Sequence, residues 1–425
     1  MTSAIEALDE RLECLAALKE VAGDGVQFTS GAPGPAECKD VNDILLNATK
    51  QMLGAEPDLD AFVYGPEQGC ETFRNELANF LTEQYGDSVS SSNLMVTAGA
   101  AQGLHLVLSV LSEKSAPILV EDPTYFLALR IFQKDFEREV IPVTTDETGM
   151  DLDDLDKKLS SLKRPPDSDS VKDRYHAIVY VMTAFSNPGG FVYSSGKCEQ
   201  LTALARKHDV LVVVDDVYNL LWFPSSSSPS SEPSKAPPRL VSFDRASDRD
   251  YGRGHVVSVG SFSKYLAPGI RLGWLEAPEK VLARLYTSGV STSGGSFNHY
   301  MSRLVTCALR SGSVTRHLAG VRLDYKNRVH KLCDLLDKHL PKGCSFSRPQ
   351  GGFYVWLQFP VNIDTFEFAQ FSAERYGVIF LPGVLTSPSE ECRNFARLSV
   401  SSLDEAKIET GVRELCLAIK DYVIM

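Results

Sequence analysis

Between Leu94 and Ser258, short apolar runs rich in β-branched residues alternate with longer stretches in which apolar positions recur every three or four residues. Leu94–Thr97, Ile118–Val120, Ala177–Met182, Val210–Asp215 and Val256–Ser258 are the clearest runs. Each has the length of a strand buried on both faces, and their alternation with helical patterns predicts a mostly parallel α/β sheet. After about Tyr300 the pattern changes. Met301–Arg310 and Val314–Leu340 carry a helical period, and Gly352–Phe359 reads as a strand, which predicts a smaller α+β unit. Met1–Val21 intersperses apolar residues with Glu6, Asp9, Glu10, Glu13 and Glu20, the pattern of an amphipathic helix, and we expect it to close back onto that smaller unit. Leu162–Arg174 and Pro224–Pro238 are too polar to enter a core and predict surface loops.

Bulk properties narrow the function. A chain of 425 residues exceeds one small core and fits a large domain with a smaller one. A formal net charge of −12 argues against a nucleic-acid partner, which would be engaged by clustered Lys and Arg. Nine Cys without a Cys-x-x-Cys pair suit a reducing compartment, so a cytoplasmic location is expected. The acidic N-terminus resembles neither a signal nor a transit peptide, and no apolar run reaches the ~20 residues that would cross a bilayer. Metal-ligand spacings such as His-Glu-x-x-His are missing, so no metal is expected. Gly190–Lys197 fails as a phosphate-binding P-loop, because five residues separate its glycines and Cys198 stands where a hydroxyl is needed.

Candidate chemistry centres on Ser261-Phe262-Ser263-Lys264, with Arg271 following a Pro-Gly turn. A lysine amine can form an imine with an aldehyde cofactor, while serine hydroxyls and an arginine fork can hold that cofactor's phosphate. Asp215 ends an apolar strand, where α/β sheets bind ligands, and can keep a pyridine nitrogen protonated; Tyr218, three residues on, can donate to a phenolic oxygen. Asn187, in Ser186-Asn187-Pro188-Gly189-Gly190, follows another strand and can reach the same oxygen. Gly99-Ala100-Ala101 opens a helix whose free N–H groups can cradle a phosphate.

Taken in order, Tyr64-x4-Gly69, Gly99-Ala100-Ala101-Gln102, Asp122-Pro123-Thr124-Tyr125, Asn187-Pro188, Asp215-x2-Tyr218, Ser261-x-Ser263-Lys264-x6-Arg271 and Arg397 resemble the class I/II aminotransferases of fold type I. The likeness spans about Gly31 to Ser401. Pro-Gly-Ile-Arg-Leu-Gly-Trp and Pro349–Trp356 are most similar to the 2-aminoadipate, kynurenine and aromatic aminotransferase branch. The resemblance implies an α/β fold type I transferase with a seven-stranded sheet. The corresponding divisions are residues 1–50 as an N-terminal segment joined to the small domain, 51–300 as the large domain and 301–425 as the small domain. It implies pyridoxal 5'-phosphate carried by Lys264, with Asp215 on the pyridine nitrogen, Asn187 and Tyr218 on the phenolic oxygen and Tyr125 stacked on the ring. Phosphate falls to Ala100, Ala101, Ser261, Ser263, Arg271 and Tyr64 of a neighbouring subunit, which makes the protein a homodimer with shared sites. Arg397 clamps the α-carboxylate of amino acid and 2-oxo acid substrates, and Gly31 lines the same pocket. One departure stands out: Ala100 occupies the place where the family usually has a hydroxyl.

The implied activity is ping-pong amino transfer. Two alternatives are another reaction of the same cofactor (C–S lysis, decarboxylation or racemisation) and a non-catalytic regulatory module. The latter needs a basic DNA-binding segment that the acidic N-terminal helix does not supply.

Overall fold

A computed structural model of the protein describes residues 4–162, 174–224 and 236–424. Most of the two polar stretches lies outside the described residues. The main sheet has the strand order Leu94–Thr97, Gly273–Glu276, Val256–Ser261, Leu211–Asp215, Ile178–Val181, Ile118–Asp122, Val140–Asp146 and Gly149–Met150. The five strands from Val256–Ser261 to Val140–Asp146 are mutually parallel. Gly273–Glu276 runs against both its neighbours, and Gly149–Met150 is a two-residue hairpin return at the far edge. The expected seven strands are therefore present with an eighth, added because Thr145 and Asp146 fold straight back onto Gly149 and Met150.

Parallel order places one edge of this sheet at the chemistry. Thr97, Asp215 and Ser261 end their strands on that edge, and Gly273 begins its own there, paired with both Thr97 and Ser261. Burial fixes the register: Val212, Val213 and Val214 are fully buried, each contributing roughly 1.5–3 kcal/mol relative to exposure, so Asp215 must emerge at the end of its strand.

The C-terminal part is built on the helices His299–Arg310 and Ser313–His339 and an antiparallel sheet of Ser345–Phe346, Tyr354–Gln358, Phe395–Ser399 and Leu381–Pro382. The first helix, Ala4–Ala22, buries Leu8, Leu15 and Leu18 and lies against the helix Thr365–Tyr376. Val26–Gln27 then pairs in parallel with Val378–Ile379. These contacts bring Phe28 and Thr29, and the glycine turn that follows, onto Phe395–Ser399, where the Ser399 N–H donates to the Phe28 carbonyl.

One carboxyl in the main sheet sets a pH dependence of stability. Glu121 is buried at 1% exposure and accepts from the Met182 N–H at 2.9 Å and the Tyr193 hydroxyl at 2.7 Å. Burial outweighs those bonds and pushes it up to about 7. The folded state then binds more protons than the unfolded state between about pH 4.5 and 7, so stability is lost as pH rises through that window. Glu121→Gln cannot ionise. Its melting temperature relative to wild type is expected to be more favourable at pH 8 than at pH 5, a differential of about 3 kcal/mol. Thermal melts at the two pH values check this, and a pH-independent difference would contradict it.

Candidate active site

Three local structures deliver the central residues to one cavity of about 440 Å³. The strand Val256–Ser261 passes into a single turn, Phe262–Lys264, capped by Ser261, whose hydroxyl accepts from the Ser263 N–H at 3.1 Å. The cap ends the strand and swings Lys264 over the sheet edge. A second short turn, Pro268–Ile270, leads to Arg271 in left-handed backbone with φ 49°, which turns its guanidinium back toward the loop before Ala100–Leu111. Gly99, with φ 90°, allows that approach: a Cβ there would lie 2.6 Å from Arg271 Nη2. Gly99 caps the helix Ala100–Leu111 without a side-chain bond, so its first N–H groups face the cavity unsatisfied by any cap.

Ala100, Ala101, Tyr125, Asp215, Tyr218, Ser261, Ser263, Lys264 and Arg271 all line this cavity. Lys264 Nζ donates to the Gly31 carbonyl at 2.8 Å and lies 5.6 Å from the centre of the Tyr218 ring. Burial pushes its ammonium down to about 8; Arg397 and Arg271 act in the same direction, and Asp215 opposes them. Asp215 Oδ2 accepts from the Tyr180 hydroxyl at 2.7 Å, whereas its buried Oδ1 has no partner. Burial raises the Asp215 carboxyl, against the Tyr180 bond and the Lys264 charge.

A second group stands beside the cavity. Arg397, 2% exposed, donates from Nη1 to Asn187 Oδ1 at 2.7 Å and from Nη2 to the Thr29 carbonyl at 2.8 Å, and its Nε is buried without a partner. Its guanidinium lies 4.3 Å from the centre of the Tyr354 ring, and the Tyr354 hydroxyl meets the Tyr218 hydroxyl at 3.1 Å. Gly31 is required by close approach, since a Cβ would lie 2.6 Å from that Tyr354 hydroxyl. Tyr64 is not brought to the cavity; it is 86% exposed.

Sequence reading missed Tyr180, Tyr354 and Thr29. Tyr180 is hidden inside an apolar strand, where an aromatic reads as core; its strand pairing beside Val213, two residues before Asp215, is the only signal that it reaches the carboxylate. Tyr354 sits inside the Pro349–Trp356 motif, and its strand register opposite Ser399 points to Arg397's strand.

Residues 24–415 match the model of the family described as aminotransferase class I and II. The chain belongs to this family. It is 30% identical to aromatic-amino-acid aminotransferase 1 of Thermococcus litoralis, over 94% of this chain and 88% of that protein. It is 28% identical to the 2-aminoadipate transaminase of Thermus thermophilus, over 94% and 91% of the two chains. The crystal structure of a multiple substrate aminotransferase from Thermococcus profundus superposes with a TM-score of 0.81 at 27% identity, covering 97% of this chain and 95% of that one. The protein is a pyridoxal-phosphate-dependent transaminase of fold type I, acting on amino acids and 2-oxo acids. The residues of this aminotransferase fit the cofactor: a half-buried lysine, a carboxylate oxygen without a partner, and open helix N–H groups beside two serines and an arginine share one cavity. Backbone N–H groups at Ala100 and Ala101 need no side-chain hydroxyl to receive a phosphate. Among the described residues no cluster suited to a metal ion occurs, and no helix is long and apolar enough to cross a membrane.

Proposed function

We propose that Lys264 carries pyridoxal phosphate, with Asp215 on the pyridine nitrogen, Asn187 and Tyr218 on the phenolic oxygen, and Tyr125 against the ring. The observation that carries this reading is the unpartnered Asp215 Oδ1 in the same cavity as a lysine of lowered basicity. Once bound, the cofactor supplies an electron sink for the bonds at the substrate α-carbon. Tyr180 holds Oδ2, leaving Oδ1 as the acceptor for a protonated ring nitrogen, and that positive partner favours the ionised carboxylate against its burial. Lys264 Nζ, neutral above about pH 8 in the free site, would serve as the base that moves a proton between the substrate α-carbon and the cofactor's aldehyde carbon. Arg397 binds the α-carboxylate; Asn187 and Thr29 hold its two terminal nitrogens and the Tyr354 ring lies against it, which keeps the guanidinium plane fixed. Ala100, Ala101, Ser261, Ser263 and Arg271 hold the phosphate.

The donors we infer are 2-aminoadipate, aromatic amino acids and kynurenine, in line with the sequence motifs and the relatives' names. Initial rates over a donor panel at several 2-oxo acid concentrations should give the parallel double-reciprocal lines of a ping-pong reaction, and intersecting lines would contradict it.

We further propose a homodimer in which each subunit lends Tyr64 to the other's phosphate site. Leu59, Phe62, Val63 and Tyr64 are 62–86% exposed, a contiguous apolar surface that a monomer rarely carries. The Phe62 ring lies 5.8 Å from that of Tyr300, extending the patch. Sedimentation is expected to give a dimer, and Tyr64→Phe to stay dimeric while losing cofactor affinity about tenfold, through one hydrogen bond to a charged group. A fully active monomer would contradict both. The first helix against Thr365–Tyr376 supports grouping residues 1–50 with a small domain of 301–425, around a large domain of 51–300.

A further inference from the structure

We propose that Arg130 and Lys134 form a subsite for the distal carboxylate of dicarboxylic donors and acceptors, held at rest by Asp9 of the first helix. This rests on the amino-transfer reading of the Lys264 cavity. Tyr125 is followed by the helix Phe126–Arg130, which widens into a single π-type turn, Ile131–Asp135. Such turns displace side chains from the regular helical face and recur at functional sites. Here Leu127, Arg130, Ile131 and Lys134 line the same cavity as Lys264 and Tyr125. Two cations thus border a cavity whose other charged groups are Lys264, Arg271 and Asp215, which the proposed function gives to the cofactor, and Asp135.

A carboxylate already occupies them. Asp9 Oδ2 accepts from Lys134 Nζ at 2.6 Å, and Asp9 Oδ1 lies 3.0 Å from Arg130 Nε. That second contact is an ion pair without hydrogen-bond geometry, for Oδ1 is buried without a hydrogen-bond partner. Among the described residues the Arg130 guanidinium has the Asp9 ion pair but no side-chain hydrogen bond, so its planar fork stays available to a better-placed carboxylate. Asp135 also lines the cavity, and with Asp9 it balances the two cations. Displacing Asp9 leaves a net positive wall, which favours a substrate carrying a second carboxylate over a neutral one. A cationic side chain would meet repulsion there once Asp9 leaves.

The test compares 2-aminoadipate and glutamate with leucine and phenylalanine on wild type, Arg130→Gln and Asp9→Asn. Arg130→Gln is expected to lower the dicarboxylic-to-neutral ratio of kcat/KM by at least about tenfold, through KM, for loss of a charge-assisted fork. Asp9→Asn is expected to raise the ratio by removing the internal competitor. Glutarate binding to the cofactor-loaded protein, measured by calorimetry, provides a readout without turnover: it should weaken in Arg130→Gln and tighten in Asp9→Asn, while pentanoate responds to neither. Ratios and glutarate affinities unchanged in both variants would overturn the subsite and leave the Asp9 contact as a structural latch. If no donor turns over at all, the amino-transfer reading fails, and glutarate binding still decides the subsite.

Discussion

Lys264→Ala is expected to abolish the near-visible imine absorption of the cofactor-loaded protein, leaving at most that of the free aldehyde, and to lower amino transfer by about 10⁴-fold. The size follows from two losses at one atom. Lys264 Nζ is the covalent anchor, and it is also the base whose burial has brought its ammonium down to about 8. The lowered value has its own signature. Below about pH 8 the free amine is protonated and cannot attack the cofactor's aldehyde, so loading of the apoprotein should accelerate as pH rises through 8 and then level off. Stopped-flow absorbance at a series of pH values measures this directly. A loading rate still climbing beyond pH 10, as for a solvated lysine, would contradict the lowering that burial, with Arg397 and Arg271, imposes on Lys264.

Arg397→Gln is expected to raise KM for every amino donor by about 10²–10³-fold, with a smaller effect on kcat. Removing one member of a buried charge pair costs about 2–5 kcal/mol, and the α-carboxylate is held alike before and during the reaction, so the loss falls on binding. The cofactor spectrum should survive, because Arg397 touches Asn187, Thr29 and the Tyr354 ring rather than Lys264. Arg397→Lys retains the charge but neither the fork nor the stack, and should fall between wild type and Arg397→Gln. Steady-state kinetics across several donors separates the two parameters. An unchanged KM would remove Arg397 from the substrate site.

What was legible in the sequence is what local pattern controls. The apolar runs Val210–Asp215 and Val256–Ser258 named their strands because burial on both faces leaves no polar positions to confuse the reading, although the second runs on to Ser261. The lysine segment stood out because two serines and an arginine around one lysine serve no obvious packing purpose. Gly273–Glu276 escaped notice, for its antiparallel course between two distant strands is a matter of tertiary pairing. The π-type turn at Ile131–Asp135 escaped as well, because its sequence, Ile-Phe-Gln-Lys-Asp, carries no glycine or proline to mark a departure from an ordinary helix. Tyr180 and Tyr354 were concealed by their own hydrophobicity, since a buried tyrosine reveals its hydroxyl's purpose only when its partner is in place. Tyr64 is the reverse case. The motif marks it, but the single chain leaves it in solvent, because the role inferred for it belongs to a second subunit.

The most direct measurement is a single half-reaction: cofactor-loaded protein mixed with an amino acid and no 2-oxo acid, followed by absorbance and by analysis of the released products. The expected result is one 2-oxo acid and one pyridoxamine phosphate per Lys264, with full return of the original spectrum when a 2-oxo acid is added. No pyridoxamine phosphate from any amino acid, or release of carbon dioxide, sulfide or the inverted amino acid in its place, would contradict amino transfer at this site.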